Sequence, residues 1–488
     1  MTYLYTTGGR KSVVSDTRPN VLFVVTDQQR ADTIHALGNS RIRTPNVDRL
    51  VDRGVSFTNA YSPDPICIPA RHTIRTGCEA VSTGYLGNEK RDASHLEERF
   101  GPFLARSMGE RGYRTFLVGK YHAHPRDIDL GYDRRLSFEA FRDDTGHEVK
   151  TTARQGAMVH LPQQNRLPPD DNYEAWTTDR AVDLVGRDTD EPFFGVVSYE
   201  PPHPPFAPSP PFDRMYDPDR LGNPIKGDLE TDHADEKIPA QNHHFWTTRE
   251  GGVDDTTVRL IKAHYYGMIS ELDRRIGRLL DAVEARDDAD DTLVCFFSDH
   301  GELLGDHRGW EKTSFFESSC RVPFLVSWPA ELPAGVRRDD LVALTDLFGI
   351  ATTAAGDQEL RDGVDVLGAI RGDVEPRERL FGYHRTPRLP PNFTGMVREG
   401  RWKYVFMRNG GREQLFDLAA DPNELDDCAA DNPEVVAELR DALAAKLTEA
   451  GADEFVENGT LRRAPYQEID MGRLVREPYP DEPADVLD

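Results

Sequence analysis

The sequence predicts an α/β fold: a mostly parallel sheet sandwiched by helices, with a smaller C-terminal α+β domain. Three observations carry this reading. Several apolar runs are too continuous for strands with one wet face and fit strands buried on both sides. Stretches of helical periodicity separate them, as parallel strands require. From about residue 376 the texture changes to hairpin-forming segments closed by a helix.

In chain order, "NVLFVVTDQ" (20–28) is an uninterrupted β-branched run. "YRTFLVGKYH" (113–122), "PFFGVVSYEPPH" (192–203), "TLVCFFSDHG" (292–301) and "VPFLVSWP" (322–329) have the same character. "TPNVDRLVDRGV" (44–55) reads as a helix with Thr44 as N-cap and Pro45 at its first position. Residues 258–286 form a long amphipathic helix pattern. The polar segments 140–180 and 207–256, rich in Pro, Asp and His, read as long loops near the site. "RLFGYHR", "FTGMVREGRWKYVFMRNGGREQLFDL" and "NPEVVAELRDALAAKLTEAG" predict a strand, a hairpin with a Gly-Gly turn and a closing helix. The organisation expected is an N-terminal extension (1–17), a main α/β domain (18–375), a small α+β domain (376–455) and an acidic tail (456–488). Internal repeats are absent from the sequence.

Composition narrows the partners. The 59 basic residues face 85 acidic ones, a net charge of -26. Such a surface repels nucleic acid and anionic membranes. Only ten of the basic residues are lysines, and an acid-rich, lysine-poor chain fits a halophilic cytoplasm. Five cysteines in so long a chain are no disulfide framework. "MTYLYTTGGRKSVVSDTRPN" holds no apolar core of signal-peptide length, and no window reaches a membrane span. A cytoplasmic location is therefore expected. The oligomeric state is not legible.

Four buried strands end in chemically capable residues: Asp27-Gln28, Lys120-Tyr121-His122, His203 and Asp299-His300. Ligands of open α/β sheets bind beyond the carboxyl ends of strands. One such aspartate is usually a turn or cap residue; four ends of this kind on one sheet edge point to a site. Asp27, Gln28, Asp299 and His300 offer oxygen and imidazole ligands for a divalent cation; an oxygen-rich set prefers calcium or magnesium, and the imidazole leaves manganese open. Arg71, Lys120, His122, His203 and Lys312 form a cationic set suited to a small anion such as a sulfate or phosphate ester. Cys67 lies in "SPDPICIPARHTIRTG" (62–77), between two prolines at the mouth of a predicted helix whose N–H groups add anion donors.

These residues resemble a known family. "CIPAR" matches the Cys-x-Pro-x-Arg signature of the type I, formylglycine-dependent sulfatases of the alkaline-phosphatase-like superfamily. "PNVLFVVTDQQRADTIHALGN" and "SDHGELLGDHRGWEKTSFFESSCRVPFLVSWP" resemble the two metal blocks of that family. "GYRTFLVGKYH" resembles its Gly-Lys-x-His block, and "RWKYVF" and "QLFDLAADPNE" its C-terminal domain. The likeness runs from about residue 18 to about 450.

The resemblance implies hydrolysis of a sulfate ester, and the expected cytoplasmic location favours a small sulfate ester or sulfated sugar as substrate. It implies that a formylglycine-generating enzyme oxidises Cys67 to an aldehyde. One hydroxyl of the hydrated aldehyde would attack sulfur, and the other would expel sulfate. It implies a metal held by Asp27, Gln28, residue 67, Asp299 and His300, with Arg71 steadying the hydrate. Lys120 and Lys312 would bind sulfate oxygens, and His122 would be the base that releases sulfate. His203, with Lys312, would serve the leaving group, and Asn88 would touch substrate. The pairs Asp27-Gln28 and Asp299-His300 look more like choline-sulfatase-type enzymes and phosphonate monoester hydrolases. Phosphonate monoester or phosphodiester cleavage is therefore the alternative, while Lys120 and His122 favour sulfate.

Overall fold

The structure, a computed structural model, describes residues 18–88, 91–147, 161–163, 165, 167–226, 253–385 and 392–467. The expected N-terminal extension (1–17), residues 227–252 of the second polar segment and the tail from 468 lie outside the described residues.

Eight strands form the main sheet: β1 (Asn20–Asp27), β2 (Val55–Tyr61), β3 (Arg114–Gly119), β4 (Arg134–Leu136), β5 (Phe193–Pro202), β6 (Thr292–Ser298), β7 (Phe324–Ser327) and β8 (Val336–Ala343). Their order is β4-β3-β5-β1-β6-β7-β2-β8. Only β7 runs antiparallel to its neighbours. The others pair in parallel, so β1, β3, β5 and β6 deliver their carboxyl ends to one edge.

The apolar runs explain the layering. Alternate β1 side chains point to opposite faces. Val21, Phe23 and Val25 join one core with residues of the helices Cys67–Thr76, Leu104–Glu110 and Asp346–Ala354. Leu22 and Val24 join the other, with the helices Pro45–Arg53, Tyr173–Val185 and Asp255–Glu284. Phe23 meets Phe194 and Phe297 edge-on, with ring centroids 5.3 and 5.6 Å apart. Burying a side chain of this size contributes about 1.5–3 kcal/mol.

Three local readings change. Within the segment expected as a loop (140–180), the helices Phe138–Thr145 and Tyr173–Val185 form, the second capped by Asn172 on Ala175 N. Thr44 precedes the helix Pro45–Arg53, but its hydroxyl makes no cap. Asp273 from the long helix does so instead, accepting from Asn46 N at 3.1 Å and Val47 N at 2.8 Å. The long helix starts at Asp255, three residues early, because Asp254 accepts from Thr257 N at 2.8 Å.

A separate antiparallel sheet, order β12-β11-β10-β9, follows: β9 (Arg379–Arg385), β10 (Phe393–Glu399), β11 (Trp402–Met407) and β12 (Arg412–Asp417). Gly410 and Gly411 turn the β11–β12 hairpin at φ of 81° and 60°, where side-chain-bearing residues are disfavoured. The helix Pro433–Glu449 packs Leu439, Leu443 and Leu447 over this sheet.

The small sheet braces the loop before Cys67. Tyr383 N donates to Pro63 O at 2.8 Å, and His384 Nδ1 lies 3.2 Å from Asp64 Oδ1. Next to this junction, fully buried Lys403 reaches Phe315 O (2.6 Å), Glu317 Oε1 (2.6 Å) and Glu424 Oε1 (2.8 Å). None of the five cysteines pairs with another in a disulfide. Among the described residues no helix is long and apolar enough to cross a membrane.

Candidate active site

The site gathers where strands end. Asp27 closes β1, and Asp299-His300 follow β6 directly. Lys120 follows Gly119, whose φ is +104°. A Cβ at Gly119 would meet Ser198 O at 2.0 Å, so only glycine lets β3 end this close to β5. Lys120 N then donates to Ser198 O at 2.7 Å. Cys67 opens the helix Cys67–Thr76. The Asn88 carboxamide oxygen accepts from Ile68 N at 3.0 Å, so it caps this helix beside the cysteine.

Ligand atoms of Asp27, Cys67, Asp299 and His300 all lie within 4.8 Å of one another, and all four residues are buried. Cys67 Sγ is 3.2 Å from His300 Nε2. His300 Nε2 is also 3.7 Å from an oxygen of each aspartate. His300 Nδ1 donates to Gly301 O at 3.0 Å, which leaves Nε2 facing the cluster. Asp27 Oδ1 is buried without a hydrogen-bond partner. Two carboxylates, one of them with an orphaned oxygen, and an imidazole on one point fit a divalent cation. Gln28, also expected as a ligand, turns its Oε1 to Lys312 Nζ at 2.6 Å.

Electrostatics agree with this geometry. Burial opposes ionisation of Asp27, yet Lys120, His203, Arg71 and His300 outweigh it and hold the carboxyl well below its usual range. Burial and the Asp27 charge push Asp299 up. Burial disfavours the His300 imidazolium, but Asp299 and Cys67 lift it to about 9. The cluster thus attracts positive charge where its donors converge.

Arg71 ties the cluster together. Its Nε donates to Asp299 Oδ2 (3.0 Å), Nη2 to Asp27 Oδ2 (3.1 Å), and Nη1 to Ser198 Oγ (2.9 Å) and Lys120 O (3.3 Å). Lys120 Nζ lies 3.0 Å from Asp27 Oδ2. On the far side Lys312 Nζ lies 3.3 Å from His203 Nε2. His203 Nδ1 donates to Pro204 O at 2.7 Å, so Nε2 accepts from the ammonium. Burial, Lys312 and Lys120 hold His203 well below its ordinary pKa. The transferable proton of this pair therefore sits on Lys312. His122 is likewise held neutral by burial, Lys120 and Arg71, and its Nδ1 is buried without a hydrogen-bond partner. That is the state of a proton acceptor.

The sequence reading did not reach Ser198, Glu302 and Glu311. Glu302 and Glu311 both accept from the Gln28 amide, Glu311 at 3.2 Å. Both flank "LLGDHRGW", and that position beside Asp299-His300 was the only signal available.

The large sheet with its edge-gathered site and the separate antiparallel sheet define an alkaline-phosphatase-like α/β scaffold. The Sulfatase family pattern matches residues 19–356, and the pattern described as N-sulphoglucosamine sulphohydrolase, C-terminal, matches residues 305–453. The chain belongs to the sulfatase family and is an enzyme of that class. It is 28% identical over 445 residues to an arylsulfatase of Clostridium perfringens, covering 84% of this chain and 89% of the relative. It is 28% identical over 448 residues to a choline-sulfatase of Rhizobium meliloti, covering 85% and 83%. The solved phosphonate monoester hydrolase of Agrobacterium radiobacter aligns with a TM-score of 0.74 at 26% identity, covering 92% of this chain and all of that one.

Proposed function

We propose that the protein hydrolyses a small sulfate ester or sulfated sugar, with residue 67 acting after oxidation to formylglycine by a formylglycine-generating enzyme. The observation that carries the reading is Cys67 Sγ, 3.2 Å from His300 Nε2 inside the buried Asp27–Asp299–His300 cluster. In this reading Sγ marks the place of a hydroxyl of the hydrated aldehyde. Asp27, Asp299 and His300 would hold the cation with residue 67, and the Gln28 oxygen would lie beside it. Calcium is the expected ion on these oxygen-rich donors, with manganese or magnesium as alternatives. Such a cation supplies Lewis-acid charge for the attacking oxygen and the ester.

The remaining roles belong to side chains. Arg71 fixes both aspartates and closes the floor of the site. Lys120 and Lys312 present ammonium groups to the sulfate oxygens, where charge shifts during transfer. Lys312 supplies the leaving group's proton, and His203, accepting from it, steers the ammonium. His122, neutral and unpartnered at Nδ1, takes the proton whose loss from residue 67 releases sulfate. Asn88 holds the first turn of the helix beneath residue 67 and so sets its direction.

The second reading is phosphonate monoester or phosphodiester hydrolysis at the same residues. It is favoured by the likeness to the Agrobacterium radiobacter enzyme and by the Gln28 and His300 side chains. Mass spectrometry of the peptide bearing residue 67, beside parallel assays of 4-nitrophenyl sulfate and 4-nitrophenyl phenylphosphonate, tests both. Aldehyde at residue 67, preferred sulfate turnover and an inactive Cys67→Ala variant are expected. Full sulfate turnover by Cys67→Ala would end the first reading, and a strong phosphonate preference would select the second.

A further inference from the structure

We infer that Glu302 is a positioning residue: its carboxylate fixes the orientation of the Gln28 amide and, through that amide and the loop behind it, the place of the Lys312 ammonium. The inference rests on the proposed action of Lys312 on the ester.

Glu302 is fully buried. Its Oε1 accepts from Leu304 N at 2.9 Å and Glu311 N at 2.7 Å. Its Oε2 accepts from Gln28 Nε2, which also donates to Glu311 Oε2 at 3.2 Å. Gln28 Oε1 meets Lys312 Nζ at 2.6 Å. The amide nitrogen is therefore bounded by two carboxylates and the amide oxygen by an ammonium. A flipped amide would set oxygen against carboxylates and N–H against N–H, so only one orientation is stable.

The loop carrying Lys312 needs the same carboxylate. Leu304, His307, Arg308, Glu311 and Thr313 have φ values of 51°, 51°, 56°, 70° and 70°, all left-handed and none glycine. Such backbone costs about 1–2 kcal/mol per residue and persists only where its surroundings over-determine it. Glu302 Oε1 ties the loop's two arms at Leu304 and Glu311. Arg30 adds contacts from Nη1 to Glu302 O at 3.0 Å, Leu303 O at 3.1 Å and Asp306 Oδ2 at 2.8 Å. A residue serving the loop alone would need Oε1 only. Oε2 also accepts from the Gln28 amide, whose oxygen reaches Lys312.

Glu302→Gln separates these demands while keeping shape. If the new amide oxygen stays on the loop, its NH2 opposes Gln28 NH2. Gln28 then turns, and Lys312 loses the Gln28 oxygen, keeping Glu311 Oε2 at 3.0 Å and His203 Nε2 at 3.3 Å. If the new NH2 faces the loop, the backbone amides lose their acceptor. In either case one of the restraints on the Lys312 ammonium is lost, and its position shifts toward the partners that remain.

The test is a double-mutant cycle on phenyl sulfate and 4-nitrophenyl sulfate. Glu302→Gln is expected to lower kcat/KM for phenyl sulfate about 10- to 100-fold, the usual effect of losing a buried partner of a catalytic group. The loss should be smaller for 4-nitrophenyl sulfate, whose leaving group needs less protonation. In a Lys312→Met background the same change should alter kcat/KM by less than about threefold, because its target is gone. Equal losses in both backgrounds, or on both esters, would overturn the inference. If Glu302→Gln does not fold by circular dichroism, Gln28→Met takes its place in the cycle with the same expectations. A Lys312→Met enzyme that keeps full kcat/KM would overturn the proposed role of Lys312 itself.

Discussion

Replacing Lys403 by Met should destabilise the protein far more than its distance from the site suggests. The ammonium is fully buried on β11, between Glu317 Oε1 at 2.6 Å and Glu424 Oε1 at 2.8 Å, and it also donates to Phe315 O at 2.6 Å. Around it lie Tyr61, Phe315, Cys320, Met396 and Val405, so water cannot take its place readily. Glu317 keeps a second partner in Arg321 Nε at 3.2 Å. Glu424 would keep the Glu317 backbone N–H, which donates to its Oε2 at 2.7 Å, and its charge would stand uncompensated. Removing one partner of a buried ion pair costs about 3–5 kcal/mol. Burial already raises the Glu424 carboxyl above its usual range, and losing Lys403 raises it further. A carboxyl whose folded pKa is raised is penalised at pH values above that pKa and relieved as pH falls below it. The deficit should therefore be largest near neutrality and shrink on acidification. Adding Glu424→Gln should recover much of it at neutral pH. Urea unfolding followed by circular dichroism, at neutral and mildly acidic pH, measures both effects. A Lys403→Met loss under about 1 kcal/mol at neutral pH, or a loss that Glu424→Gln deepens, would refute the reasoning.

Two further outcomes are expected. Asn88→Ala removes the oxygen that accepts from Ile68 N at 3.0 Å, and should cost about 1 kcal/mol by urea unfolding, while Asn88→Asp keeps the cap and most of that stability. The acid limb of the kcat–pH profile should lie below the ordinary histidine range near 6.5, because burial, Lys120 and Arg71 hold His122 low. Lys120→Met removes one of those cations, raises the His122 pKa and should move the residual activity's acid limb to higher pH; a limb that stays in place would exclude His122 as the base.

Much of the site was legible because buried strands announce their ends. An apolar run cannot carry Asp27, Lys120, His203 or Asp299 in its middle, so these residues mark the strand ends where the candidate site gathers. The helix Tyr173–Val185 was not legible because it has no apolar stripe: Thr177 and Thr178 are buried along with Trp176 and Leu184. β8, "VRRDDLVA", hides for another reason. It is the edge strand beyond β2, so half of it is wet and charged. β2 carries Thr58 and Asn59, which bond sideways to Arg338 O and Asp339 O rather than into a core. Glu302 lay beyond reach in a different sense. Its neighbour His300 is visible in the sequence, but the return of the loop that places two backbone amides on one carboxylate is not. Asn88 was expected to touch substrate, and its position as a helix cap depends on a chain reversal between residues 77 and 88 that no periodicity encodes.

Arg71 reaches across 228 positions to Asp299, 127 to Ser198, 49 to Lys120 and 44 to Asp27. Contacts of such long range form late in folding, because the intervening chain must close first. The guanidinium can complete its bonds only when β1, β3, β5 and β6 already stand side by side. A nascent chain that has not yet supplied Asp299 thus has neither the cluster nor the arginine's full set of acceptors. Assembly of the sheet and assembly of the candidate site become one event, and a proteolytic fragment on either side of Asp299 holds only part of the cluster.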